Sequence, residues 1–174
     1  MSNGKLKILL LYHANIEIED FIQKFTKKRF SSNYKSTVGV DILNKEVEYE
    51  PGKKIQLSIW DIVGQQRFKF IRDTFCAGTA GFIFIFDLKK PETFEFIKER
   101  ILDINQSTKN KINFIIIGIN EDCIHKFDQN IHRTNIKEFS EKHDCIFFEA
   151  SVDNVDNIEE ILIEFTRRIM YSRK

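Results

Sequence analysis

Gly81-Phe-Ile-Phe-Ile-Phe86 is an unbroken apolar run, and a second one, Phe114-Ile-Ile-Ile117, lies further along the chain. Runs without polar alternation belong to strands buried on both faces of a parallel sheet. Between them, residues 91–106 carry the spacing of a helix. Toward the amino terminus, Lys7 to Tyr12 encloses Ile8, Leu9, Leu10 and Leu11, a short apolar strand. Ile16 to Lys28 places Ile18, Phe21, Ile22 and Phe25 at helical intervals. Val40 to Tyr49 and Lys54 to Asp61 read as strands joined through Glu50-Pro51-Gly52, an antiparallel hairpin. Toward the carboxyl terminus come a helix over 135–143, a strand at Ile146-Phe147-Phe148 and a helix over 155–171. The alternation predicts an α/β fold: a doubly wound, mostly parallel six-stranded sheet with one antiparallel edge strand and helices on both faces. Ligands in such sheets bind beyond the carboxyl ends of the strands, which directs attention to the loops after Leu11, Trp60, Ile117 and Phe148 and around Thr37.

The remaining bulk properties narrow the class. The 174 residues suit one domain, 1–174, with one core. The 27 basic and 26 acidic residues nearly cancel, so bulk charge gives no attraction to nucleic acid. Cys76, Cys123 and Cys145 lack metal spacing and sit among apolar neighbours, as reduced core thiols do. No apolar run approaches the ~20 residues of a membrane helix. The ends, Met1-Ser2-Asn3-Gly4-Lys5 and Met170-Tyr171-Ser172-Arg173-Lys174, show no secretory, myristoylation or prenylation signal. The expectation is a cytoplasmic chain with no direct membrane anchor.

At the predicted site loops the sequence becomes specific. Tyr34-Lys-Ser-Thr37-Val-Gly-Val-Asp41-Ile42 and Trp60-Asp61-Ile-Val-Gly64-Gln65-Gln66-Arg67-Phe68 flank the hairpin. Phe86-Asp87-Leu88, Pro91-Glu-Thr-Phe94 and Phe147-Phe148-Glu149-Ala150-Ser151 follow in order. Together these segments resemble the Rab branch of the Ras-like small GTPases, over roughly residues 6–170. The resemblance implies that Thr37 coordinates magnesium and senses the γ-phosphate, and that Asp61 holds the ion through water. It further implies that the amide of Gly64 contacts the γ-phosphate and that Gln65, the catalytic position, orients the attacking water.

One segment departs from the family. A glycine-rich loop, Gly-x-x-x-x-Gly-Lys-Ser/Thr, follows the family's first strand, and its backbone N–H groups, lysine and hydroxyl hold phosphate and magnesium. The same register here reads Tyr12-His13-Ala14-Asn15-Ile16-Glu17-Ile18-Glu19-Asp20. Tyr12 and Glu17 stand at the glycines, Ile18 at the lysine and Glu19 at the hydroxyl. Side chains at the glycine positions obstruct close approach of the backbone. Each added carboxylate opposes a phosphate charge by on the order of 3 kcal/mol at ~5 Å and an effective dielectric near 20. Asn15 as N-cap, with Glu17, Glu19 and Asp20 in the first turn, instead supplies the anionic partners that a helix start favours. A bare divalent-metal site of Glu17 or Glu19 with Asp61 is a further possibility.

The base-recognition positions are altered as well. The family's Asn-Lys-x-Asp reads Ile119-Asn120-Glu121-Asp122, which keeps the aspartate, and Ser-Ala-Lys reads Ser151-Val152-Asp153, which keeps the serine. The positions of the Rab hydrophobic triad are Ile42, Trp60 and Phe75, flanked by Thr37, Val38, Gly39, Val40 and Phe68. As a partner face these residues offer aromatic anchors; the competing reading packs them into the core. Two functions follow. In the first, the chain has lost GTP hydrolysis, needs no cofactor and acts as a protein-interaction module, a pseudo-GTPase in trafficking or cytoskeletal regulation, binding a protein effector through the switch face. In the alternative it is a divergent GTPase that binds GTP or GDP with magnesium through Thr37, Asp61, Gly64, Asp122 and Ser151.

Overall fold

The computed structural model describes residues 4–13, 16, 40–62, 75–108, 112–120, 130–151 and 155–172. Six strands form one sheet: β1 (Lys5–Tyr12), β2 (Val40–Glu50), β3 (Lys53–Ile62), β4 (Thr79–Asp87), β5 (Asn113–Asn120) and β6 (Cys145–Ser151). Their order is β2-β3-β1-β4-β5-β6. All neighbouring pairs are parallel except β2 with β3. Among the described residues three helices accompany them: α1 (Pro91–Ser107), α2 (Asn130–Lys142) and α3 (Val155–Ser172). The expected mostly parallel sheet with an antiparallel edge strand is therefore the observed one.

The hairpin turn follows from two residues. Glu50 pairs with Lys53 across Pro51 and Gly52, and Gly52 has φ 75°. Proline followed by a residue of positive φ is the type II pattern, which a side chain at the second position would strain. The register shift between Glu48 and Glu50 lets this turn meet the ladder.

Strand parity divides the core into two layers. Phe82, Phe84 and Phe86 point to one face, where Phe82 and Phe84 stack at 5.9 Å and both meet Phe114. Phe86 then contacts Phe94 of α1 at 5.0 Å, and Phe94 meets Phe139 of α2 edge-on at 5.7 Å. Burying each of these rings contributes about 1.5–3 kcal/mol, so this aromatic layer fixes α1 and α2 on that face. On the opposite face, Ile158, Ile161, Leu162, Phe165 and Ile169 of α3 are buried at helical intervals. Gly81 of β4 lies beneath them: a Cβ there would stand 2.7 Å from the Phe165 ring and 2.9 Å from the Asn113 carbonyl oxygen. Helices thus cover both faces.

Thr93 ties β4 to α1. Its hydroxyl donates to the Lys90 carbonyl at 2.6 Å and accepts from the Asp87 amide at 3.0 Å. Pro91 occupies the start of α1, where a missing N–H removes no bond.

Some boundaries differ from expectation. Helix α2 begins at Asn130, five residues before the predicted 135, because its first turn holds only one apolar residue, Ile131, and gives little periodicity to read. Cys145 is buried as expected, and Cys76 is half-buried, packed against the edge of the core. Cys123 and, apart from Ile16, the predicted helix from Ile16 to Lys28 lie outside the described residues.

Candidate functional site

Strand order reverses at β1, whose neighbours are β3 on one side and β4 on the other. Because β1, β3, β4, β5 and β6 run parallel, Tyr12, Ile62, Asp87, Asn120 and Ser151 end at one edge of the sheet. That edge, at the reversal point, is where this architecture holds ligands.

Two predicted site residues meet there. Leu10 and Asp61 are partners in the β1–β3 register, and Tyr12 follows Leu10 on the same face. The Tyr12 side chain thus shares a sheet face with the Asp61 carboxyl and bears on its ionisation. Both residues are buried, at 7% and 5% exposure. Burial pushes the Asp61 carboxyl up to about 6, the Tyr12 hydroxyl opposes the rise, and the charge of Asp41 adds to it. Asp41 stands directly opposite Asp61 in the β2–β3 ladder. Among the described residues, Asp61 Oδ1 has no hydrogen-bond partner.

A single turn follows β1. The Ile16 amide donates to the His13 carbonyl at 3.1 Å, Ile16 is buried, and the His13 ring meets Phe96 of α1 edge-on at 5.2 Å. Ser151, half-buried, closes β6 opposite Asn120. Thr37, Val38, Gly39, Gly64, Gln65, Phe68, Asp122, Ala14, Asn15, Glu17, Ile18 and Glu19 lie outside the described residues.

On the other face, Ile42 and Trp60 are cross-strand partners. Trp60 lies 5.9 Å from Phe75, with the rings tilted at 58°. Val40, Ile42, Trp60 and Phe75 are all half-buried, so neither a fully exposed patch nor a sealed core describes them. The sequence reading missed Lys7. Its ammonium sits 4.4 Å over the Trp60 ring and donates to the carbonyls of Phe75 at 2.6 Å and Ala77 at 3.1 Å. The available signal was one charged residue inside an apolar strand, Leu6-Lys7-Ile8.

The fold and these segments agree with comparisons to known proteins. The Ras family model matches residues 7–171, and the chain belongs to that family. Within it the chain is similar to Rab proteins. It is 29% identical to the Ras-related protein Rab-11A of Dictyostelium discoideum over 88% of this chain and 70% of that one. It is equally identical to human Rab-30 and to Rab-13 of Rattus norvegicus, over 94% of this chain and 79% of each relative. It is a Ras-like small GTPase homologue of the Rab branch. No helix among the described residues is long and apolar enough to cross a membrane.

Proposed function

We propose that this Rab-branch chain has lost GTP hydrolysis and works as a protein-interaction module, docking a protein effector on the face around Ile42, Trp60 and Phe75. The observation that carries the reading is the burial of the Tyr12 side chain on the same sheet face as Asp61, at the point where the strand order reverses. In the family, glycine at the Tyr12 position leaves room for phosphate, and the aspartate at the Asp61 position serves magnesium. Here a buried phenol fills the first position and stands on the same sheet face as the second. Guanine nucleotide with magnesium fits this donor set poorly. Ile18 in place of the lysine brings no counter-charge, and Glu19 in place of the hydroxyl brings a carboxylate toward the phosphates.

The switch-face residues keep their character while the phosphate loop does not. Trp60 and Phe75 offer the aromatic anchors that dominate protein interfaces. A role in trafficking or cytoskeletal regulation follows from the Rab relationship.

The test is the nucleotide content of protein purified without added nucleotide. Denatured protein is cleared, and the supernatant is resolved by anion exchange. The expected result is no stoichiometric GDP or GTP. A guanine-nucleotide peak near one equivalent sinks the proposal.

A further inference from the structure

We propose that Lys7 is a positioning residue that clamps the Phe75–Ala77 segment to Trp60 and so fixes the partner face as one surface. This rests on the reading of that face as the docking site. Lys7 is rooted in β1 between Leu6 and Ile8, which are 1% and 0% exposed, so its backbone is fixed by the central sheet. Its ammonium meets three electron-rich groups from two other parts of the chain. These are the Phe75 carbonyl at 2.6 Å, the Ala77 carbonyl at 3.1 Å and the face of Trp60 at 4.4 Å. Carbonyl oxygens and an indole face all present negative potential to a cation.

Two neighbouring bonds extend the clamp. The Thr79 hydroxyl donates to the same Phe75 carbonyl at 3.1 Å, and the Trp60 indole N–H donates to Ser58 Oγ at 3.2 Å. Burial lowers the Lys7 pKa, while the neighbouring Cys76 opposes that shift. With Trp60 and Phe75 both seated on Lys7, their relative placement is set by the central sheet. A partner can then find the face assembled with no γ-phosphate to order it.

Trp60 is the only tryptophan in the chain, so its fluorescence reports on the clamp directly. The full chain is compared with Lys7→Met and Lys7→Arg by acrylamide quenching and by amide hydrogen exchange. The Thr79 amide, which donates to the Cys76 carbonyl at 3.1 Å, reads the segment. The amides of Phe84 and Ile116 read the core. In Lys7→Met, Thr79 exchange is expected to accelerate about tenfold, the loss of one charge-assisted hydrogen bond. Trp60 quenching rises with it, Phe84 and Ile116 stay at the wild-type rate, and Lys7→Arg restores both readouts. Unchanged Thr79 exchange and quenching in Lys7→Met overturn the proposal. So does an acceleration shared equally by the core amides, which reports global stability alone. The two readings fail separately: nucleotide in the purified protein sinks the loss of GTPase function, whereas the Lys7→Met comparison on the same preparation bears only on the clamp.

Discussion

Asp61 faces a like charge across the β2–β3 ladder, Asp41, and is buried with one oxygen unpartnered among the described residues. Its carboxyl titrates at about 6 in the folded chain against an ordinary value of 3.8. Between those pH values the folded state holds the proton more tightly than the unfolded one. The contribution of Asp61 to stability is therefore greatest below about pH 4, falls as pH rises to about 6, and then levels off. The full difference is about 3 kcal/mol. Asp61→Asn removes the charge and keeps the shape, so it should be more stable than wild type at pH 7 by up to that amount, with the gap closing toward pH 4. Urea melts across this range check it; a variant less stable at pH 7 means that Asp61 serves a bound cation in the folded protein. Tyr12→Phe should act in the opposite sense, since it removes the hydroxyl whose influence holds the Asp61 carboxyl down. It should lower stability at pH 7 by about 1–3 kcal/mol, and the loss should shrink as Asp61 protonates. Sequence alone marked Tyr12 as an obstacle to phosphate. Its place beside Asp61 was not legible, because it depends on the register of two strands far apart in the chain.

At the scale of elements, the closest constraint is the seat of α3 on β4. A methyl group on Gly81 meets Phe165, Ile169 and the backbone oxygen of Asn113, which cannot rotate away. Gly81→Ala should destabilise the protein by about 1–3 kcal/mol through overpacking, lowering the melting midpoint by about 2–4 °C per kcal/mol in a chain of this size. An unchanged midpoint means that α3 shifts freely on the sheet. Strands β4 and β5 were legible because Gly81 to Phe86 and Phe114 to Ile117 have no polar interruption, which leaves burial on both faces as the reading. The hairpin was legible because Pro51-Gly52 dictates its turn. The start of α2 was not, because Asn130-Ile-His-Arg-Thr134 carries little apolar pattern, and a helix of that kind forms through tertiary packing at Ile136 and Phe139. Of the site, Asp61 and the face of Ile42, Trp60 and Phe75 were read from motif spacing. Lys7 required the fold, since only the sheet brings it beneath residues 60 and 75.

For the whole molecule, the question is whether the fold needs a ligand. A protein that binds nucleotide gains stability by mass action, about 4 kcal/mol at a thousandfold excess over the dissociation constant. That corresponds to a rise of many degrees in the melting midpoint. If the helix expected from Ile16 to Lys28 is instead satisfied by the chain's own Asn15, Glu17 and Glu19, as their place in the sequence suggests, the chain is stable by itself and added GTP with magnesium leaves the midpoint unmoved. The same account predicts a loss when those partners are removed. Asn15→Ala with Glu17→Gln and Glu19→Gln forfeits one cap and two dipole interactions, each worth around 1 kcal/mol, so the triple variant should melt several degrees lower. Melts of both proteins, with and without GTP and magnesium, give separable outcomes. A variant as stable as wild type means that these side chains do not replace phosphate at the helix start. A wild-type midpoint that climbs with GTP means that the loop holds phosphate despite Tyr12, Ile18 and Glu19.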